Sequence, residues 1–355
     1  SNSSRAEPTP PPVPVTSVLT ARFDPSAGVI PLPNNLLLSG TTDLTLNPPV
    51  ANPNNFADPT VAIGTLDGWS TTGPMSTSFN ASPAVASIVP GQSVRIFQVS
   101  LTGPGGAVTG ISRELAAGTE FVAALAPSDT TGRTLAIVPT RPLEQLTSYM
   151  VVLTDGIRDA RGNDATPDQA YFLSKRPAPL CANGASTEPL LPAATACALE
   201  PVRQLTNSHL AAASSVGIAR DDVVLSWVFT TQSITPVMQA VRSVTQPGAA
   251  QLVNSGQTSA LAGLPPVADV YIGTLKVPYY LSAPSQANPT APLTGFWKAA
   301  PGAYVAPFSG LGLNPTSTNL TFANPLPVRT SDATIPLLAT IPNAASGRTK
   351  PAAGW

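Results

Sequence analysis

The stretch Leu143–Leu173, LEQLTSYMVVLTDGIRDARGNDATPDQAYFL, decides the fold class of this 355-residue chain. Within it, Tyr149–Thr154 is apolar or β-branched, which is the composition of a buried strand. The strand ends at Asp155-Gly156, and a second turn cluster follows at residues 161–164, where Gly, Asn and Asp provide turn chemistry. We expect Ala170–Leu173 to form a short return strand. Strand, turn and return strand together indicate the closing half of a β-sandwich.

The composition also favours a mainly β protein with many loops. Charged residues make up 10% of the chain, against about 25% in an average soluble domain. Proline contributes 41 residues, more than twice the usual fraction of about 5%. The net charge of −1 leaves no basic surface that could neutralise nucleic-acid phosphates, so a nucleic-acid partner is not expected. No apolar run approaches the roughly 18 residues of a membrane helix.

Three segments are predicted before residue 261. Residues 1–15, SNSSRAEPTPPPVPV, read either as a proline-rich tether that remains after signal processing or as a cloning remnant with a disordered tail. Residues 16–176 form a β-sandwich that resembles bacterial immunoglobulin-like domains. Residues 177–260 form a disulfide loop followed by a helix-strand-helix connector.

The connector is predicted from spacing and capping residues. Apolar residues recur every three or four positions from Leu199 to Val216, which indicates a helix that ends near Gly217. A buried strand, VVLSWVFTTQS, follows Asp221-Asp222. Thr235 as N-cap and Pro236 at the first helical position then predict a short helix that ends at Val244.

The two cysteines, Cys181 and Cys197, are sixteen positions apart. They either form a disulfide, worth about 3 kcal/mol at this loop length, or remain free thiols in a reducing compartment. The composition favours the disulfide. Two cysteines and one histidine are too few for a four-ligand zinc site.

Hydrolytic chemistry within these residues is not expected. A serine-hydrolase triad needs a nucleophile, a base and an orienting acid, and the single histidine is His209. The nearest approach to a nucleophile elbow is Ala213–Gly217, ASSVG, which has no strand before its serine. We therefore interpret His209 as a packed helix residue and not as the partner of Ser215, and we assign no catalytic residue.

Two polar patches offer weaker alternatives. Oxygen ligands at Asp155, Asp159, Asn163 and Asp164 could hold Ca²⁺, but their spacing differs from an EF-hand loop, and turn formation explains them more simply. Asp67 with Trp69 could bind a sugar by aromatic stacking, or Trp69 could be a core residue. We predict no cofactor, with Ca²⁺ as the open alternative.

Several motifs taken together resemble one family. They are ARFDPSAGVIPLPNNLLL at residues 21–38, TLDGWS at 65–70, LTSYMVVLTDGIRDARGN at 146–163, and LSWVFTTQS at 225–233 followed by a proline-initiated helix. This set is similar to the N-terminal region of bacterial extracellular lipases of the lipoprotein type, often called virulence-factor lipases. The similarity covers most of the chain, from about Ser17 to Trp355.

The resemblance implies a parent that hydrolyses carboxylic esters. In that family a β-sandwich precedes an α/β-hydrolase domain, whose first strands correspond here to Val270–Leu281 and Ala333–Pro342, within a fourth segment, residues 261–355. The histidine-glycine oxyanion loop and the G-x-S-x-G elbow of the family are absent from this sequence. The expected partners are therefore a C-terminal hydrolase domain of the same polypeptide and, through it, an apolar ester or lipid substrate.

Two further expectations follow. The opening strands would leave exposed sheet edges, so we hypothesise that the chain is the truncated or cleaved N-terminal part of a longer polypeptide. The expected location is secreted or at the cell surface, with a membrane tether through an N-terminal lipid. The alternative function is a non-enzymatic surface lipoprotein, or an adhesin-like module that binds through the sandwich loops.

Overall fold

A computed structural model describes residues 18–355, which divide into two compact units. The first unit ends at Ser233 and the second spans Ile234–Trp355. The chain is mainly β, as the sequence predicts, and its principal sheets are antiparallel. The predicted tether at residues 1–15 lies outside the described residues.

The strands of the first unit are β1 (Thr20–Ala21), β2 (Met75–Ser78), β3 (Val94–Leu101), β4 (Val108–Glu114), β5 (Phe121–Leu125), β6 (Thr134–Pro139), β7 (Ser148–Thr154), β8 (Thr166–Pro167), β9 (Cys181–Ala182), β10 (Ala185–Ser186) and β11 (Val223–Thr230). Those of the second unit are β12 (Ala250–Thr258), β13 (Ala268–Tyr279) and β14 (Ser331–Pro342). The α-helices are α1 (Pro59–Ile63), α2 (Gln169–Ser174), α3 (Ala193–Ser215), α4 (Pro236–Val244) and α5 (Ala291–Thr294).

Two antiparallel sheets build the first unit. One has the strand order β11-β7-β3-β4 and the other has the order β2-β6-β5. Side chains of both sheets belong to one hydrophobic cluster, which contains Trp227, Met150 and Phe97 from the first sheet and Leu135 and Phe121 from the second. Buried apolar surface stabilises folding at roughly 25 cal/mol per Å², so this shared core holds the two sheets together.

The central strand β7 is buried along most of its length, and β11 and β3 pair with its two edges. This explains the uninterrupted apolar run at 149–153, which has none of the alternation of a half-exposed strand. Strand β11 pairs with β7 from Thr230↔Ser148 to Val223↔Thr154. The first unit therefore extends beyond residue 176, the predicted end of the sandwich, and includes the strand assigned to the connector.

The predicted return strand Ala170–Leu173 is wrong, because these residues lie in helix α2. Asp168 is the N-cap of this helix, and its carboxylate accepts hydrogen bonds from the backbone N–H groups of Gln169 and Phe23. The helical turn places Tyr171 and Ser174 inward, where both are fully buried. Tertiary packing of Tyr171 thus overrides the strand preference of Tyr and Phe.

The predicted helices of the connector are confirmed. Helix α3 ends at Ser215, and Gly217 follows with a φ of +83°. Helix α4 begins at Pro236 after the N-cap Thr235 and ends at Val244, as the capping residues predict.

The second unit contains a three-stranded antiparallel sheet in the order β12-β13-β14. Strand β13 pairs with β14 over twelve residues, from Ala268↔Pro342 to Tyr279↔Ser331. The predicted strands at 270–281 and 333–342 are therefore present and adjacent. Within residues 18–355, neither β12 nor β14 pairs with another strand on its outer edge.

The predicted disulfide between Cys181 and Cys197 is present, with the two Cα atoms 4.8 Å apart. It joins the β9–β10 hairpin to the first turns of α3. Leu180, Ala196 and Leu199 form a small buried cluster beside it. The disulfide and this cluster together fix the start of α3.

We expect the double variant Cys181→Ala, Cys197→Ala to lower the free energy of unfolding by about 3 kcal/mol, because the unfolded chain gains the freedom of the sixteen-residue loop. Urea unfolding followed by tryptophan fluorescence measures the difference. A reducing agent should destabilise the wild type and leave the variant unchanged. Equal stability of the oxidised wild type and the variant would contradict this account.

Candidate functional site

Four segments meet at the C-terminal end of β11, where the chain leaves the first unit. We call this group the exit cluster; it comprises Asn35, Asp67, Gly68, Trp69, Glu144, Thr147 and residues 230–233. Its members come from the sequence motifs at residues 21–38, 65–70, 146–163 and 225–233, and Glu144 lies two positions before the third of them. Segments up to about 200 residues apart in sequence thus converge on four consecutive backbone positions.

The side chain of Asn35 makes two hydrogen bonds to Thr230, the last residue of β11. Its Oδ1 atom accepts from the Thr230 backbone N–H at 2.9 Å, and its Nδ2 atom donates to Thr230 Oγ1 at 3.0 Å. The neighbouring Asn34 places Asn35 there, because the Asn34 side chain accepts from the Leu36 N–H and caps the 3₁₀ turn Asn35–Leu38. This paired amide covers the outer edge of β11 at its end.

The TLDGWS turn extends this cover by backbone pairing. Trp69 N–H donates to Thr230 O at 2.9 Å, and Gln232 N–H donates to Trp69 O at 2.7 Å. Asp67 then binds Ser233. Its carboxylate accepts hydrogen bonds from the backbone N–H and from the hydroxyl group of Ser233, at 2.8 and 2.5 Å. Asp67 is 8% exposed, so these bonds lie in a largely dehydrated environment where they are strong.

Gly68 is required at the centre of this turn. A Cβ atom at this position would lie 2.7 Å from Gln232 N and from the carbonyl group of Thr231. Such distances are far below van der Waals contact, so only glycine permits the two backbones to approach. The Asp-Gly pair in TLDGWS therefore has a tertiary reason as well as a turn preference.

The connection before β7 completes the cluster on the other side of the chain. The fully buried Thr231 donates its hydroxyl proton to Glu144 O at 2.5 Å and accepts from the Thr147 N–H at 3.0 Å. Thr231 N–H donates to Thr147 O at 3.0 Å. Leu146, between them, has a φ of +51°, an uncommon value for a residue with a side chain. The cluster is a structural clamp, and its members include neither a histidine nor a lysine.

The single histidine lies in a different place. His209 Nδ1 is 3.0 Å from Ser226 Oγ, and Tyr171 Oη is 2.5 Å from the same oxygen. All three side chains are at least nine-tenths buried. Burial lowers the pKa of His209 to about 4, and burial also raises the pKa of Tyr171. At neutral pH the imidazole is therefore uncharged.

This Ser-His contact does not form a hydrolase site. Ser226 lies within the β11–β7 ladder, opposite Val152, and not on a strand-to-helix elbow. The cavity beside His209 and Ser226 has a volume of about 20 Å³, room for roughly one water molecule. Ser215 is not near His209 and instead donates to Ala212 O of its own helix. The interpretation of His209 as a packed residue is confirmed.

The acidic residues at 155–164 are used within their own loop. Asp159 accepts hydrogen bonds from Arg161 N–H, Asn163 N–H and Asn163 Nδ2, and these bonds lower its pKa. Asp164 forms an ion pair with Arg158 at 2.8 Å. Burial, followed by repulsion from Asp222, raises the pKa of Asp155. These contacts are those of turn-forming residues.

No group of three or more His, Cys, Asp or Glu side chains in residues 18–355 is arranged to hold a metal ion. The acidic loop lines one side of a broad cleft of about 680 Å³, with residues 84–95 on another side. Trp69 packs against the main core, as expected for a structural tryptophan. The absence of a cofactor stays a prediction.

One family model matches the chain. Residues 23–262 match the bacterial virulence factor lipase N-terminal model, which is more than half of the 355 residues. All members of the exit cluster lie within this range. No curated protein sequence matches the chain at a significant level. In the part of the chain that the structure describes, none of the helices has the length and hydropathy needed to cross a membrane.

We expect Gly68→Ala to lower the free energy of unfolding by at least about 2 kcal/mol, because the added Cβ forces the turn away from residues 231–232. Gly103→Ala is the matched control, since a Cβ there meets no atom within 4 Å. It should change stability by less than about 0.5 kcal/mol. Chemical unfolding of both variants measures the difference, and equal effects would refute the close approach at Gly68.

The burial of His209 predicts a pH dependence of stability. Between pH 6.5 and about 4 the unfolded chain takes up a proton on this histidine and the folded chain does not, so stability falls as the pH is lowered. From pH 7 to pH 4 the wild type should lose about 3 kcal/mol more than His209→Gln. Parallel stability profiles for the two proteins over this range would contradict the assignment.

Proposed function

Because the chain belongs to the bacterial virulence factor lipase N-terminal family, we propose that it is the non-catalytic portion of a secreted bacterial lipase or esterase. A lipase-associated role follows from the family itself. The finer proposal is that carboxylic esters are cleaved by a Ser-His-Asp triad that lies outside residues 1–355. The apolar ester or lipid substrate binds that catalytic portion and not this chain.

The observation that carries this proposal is the exit cluster. The motifs shared with the family converge on the last residues of β11 and on Ser233, where the first unit ends. They hold the backbone in place, and the single histidine of the chain, His209, is not among them. Motif residues that fix the backbone at the end of the first unit fit a scaffold role better than a catalytic one.

The residues most similar to a catalytic site also support a non-catalytic role for this chain. His209 is neutral, buried and bonded to a strand serine, and its cavity is too small for an ester substrate. The G-x-S-x-G elbow of serine hydrolases is absent from the sequence. The residues that perform the chemistry are therefore expected in another part of the polypeptide.

The family description also suggests an extracellular protein, and the Cys181–Cys197 disulfide fits an oxidising compartment. Attachment to the outer membrane or cell surface through an N-terminal lipid belongs to the same proposal. Metabolic labelling of the expressed gene with a radioactive fatty acid tests this part separately, because a secreted form without a lipid would carry no label.

A fluorophosphonate probe, which labels activated serines, tests the catalytic assignment in the polypeptide encoded by the complete gene. We expect hydrolysis of p-nitrophenyl esters and a labelled serine outside residues 1–355. The variant His209→Gln should keep its activity under conditions where it is folded, since this imidazole takes no part in the reaction. Labelling of Ser226 or Ser215, or ester hydrolysis by the 355-residue chain alone, would overturn the proposal.

A further inference from the structure

The second unit buries very few large apolar side chains. Its buried hydrophobic residues are Val270, Ala291, Ala299 and Ala323, so valine is the largest of them. The first unit, by contrast, buries Trp227, several Phe and Tyr residues and many aliphatic ones. The hydrophobic effect scales with the apolar area removed from water, so the second unit gains much less stability from its own core.

Many large apolar side chains of the second unit lie on its surface and not in its core. Of the 28 large hydrophobic side chains that are exposed in the described part of the chain, 18 belong to the second unit. Single exposed apolar residues are common, but a concentration of this kind marks an interaction surface. The second unit therefore has the composition of a partial domain.

The three-stranded sheet shows where a partner would lie. Val253 of β12, Ile272 of β13 and Leu338 of β14 are directly opposite one another in the register. Because opposite residues point to the same face, they form a continuous row across all three strands. Their exposed fractions are 64%, 47% and 63%. We call these three residues the apolar row.

The surroundings of the apolar row specify the chemistry of its partner. The next residues on the same face are Gln251, Thr274 and Pro336 on one side and Val270 and Thr340 on the other. None of them carries a charge, and the nearest charged side chain on this face of β13 is Lys276 at the far end. The complementary surface must therefore be uncharged, and apolar where it meets the row.

The opposite face of the sheet is apolar as well. Leu252, Gly273 and Leu337 form one cross-strand set, and Leu275 lies opposite Ile335 in the next. Strands that are apolar on both faces are typical of a sheet covered on both sides, whereas a half-exposed sheet alternates with polar residues. The exposure of the apolar row is thus unusual for the finished surface of a protein.

We propose that the apolar row is covered by an uncharged, apolar surface of the lipase catalytic portion, which completes the core of the second unit. This inference rests on the proposed function, because the family names a lipase as the associated protein. It adds a specific contact surface to that function. A second copy of the chain is the competing occupant, and the experiment below separates the two.

Cysteine labelling measures whether the row is covered. The two native cysteines of the chain are paired, so Leu338→Cys or Ile272→Cys introduces a single new thiol into these residues. Val138→Cys is the matched control, because Val138 is a strand residue of the first unit with a similar exposed fraction, 41%. Maleimide labelling rates are compared in the complete polypeptide and in residues 1–355, with labelled sites identified by mass spectrometry.

We expect residues 338 and 272 to react at least about tenfold more slowly than residue 138 in the complete polypeptide, because covered thiols react only after local opening. In residues 1–355 alone, all three sites should react at similar rates. Equal rates in the complete polypeptide would overturn the inference. Protection that already appears in residues 1–355 and grows with protein concentration would assign the row to a second copy and also overturn it.

Ester hydrolysis by the same preparations distinguishes failure of the inference from failure of the proposed function. An active polypeptide with unprotected cysteines would refute only the covered row. A polypeptide without ester hydrolase activity would refute the function, whatever the labelling rates.

Discussion

The first unit depends on the hydrogen bonds that satisfy the backbone at the end of β11, which is an edge strand of its sheet. Seven of the eight residues of this strand are buried, so backbone N–H and C=O groups on its outer edge need partners. Asn35 and the TLDGWS turn provide partners at the C-terminal end, and Asp67 receives Ser233 beyond it. The hydrogen bonds at this strand end therefore join segments from the beginning, the middle and the end of the first unit.

The two units differ in how completely each buries its own apolar side chains. The first has a shared core between two sheets, a disulfide and a clamped exit, which suit a scaffold. The second has a regular sheet but buries no apolar side chain larger than Val270. A sheet with two apolar faces and no core of its own is understandable as a component of a larger assembly.

Local sequence signals predicted the elements that depend on local physics. Thr235-Pro236 located the start of α4, and the apolar run at 149–154 located β7. Contacts between distant segments were beyond such reasoning. The sequence predicted that His209 is a packed helix residue and not the partner of Ser215, but it could not identify Ser226, on an adjoining strand, as the residue that His209 contacts. The bond from Ser233 to Asp67 joins residues 166 positions apart, so the motif TLDGWS was recognisable while its role was not.

The central claim is that this chain is a lipase scaffold whose second unit is completed by the catalytic portion. Hydrogen–deuterium exchange of backbone amides in β12, β13 and β14 tests it most directly, with the complete polypeptide compared to residues 1–355. The account predicts much slower exchange of these strands in the complete polypeptide, with β7 equally protected in both, because β7 belongs to the core of the first unit. Equal exchange of β12–β14 in the two proteins would contradict it.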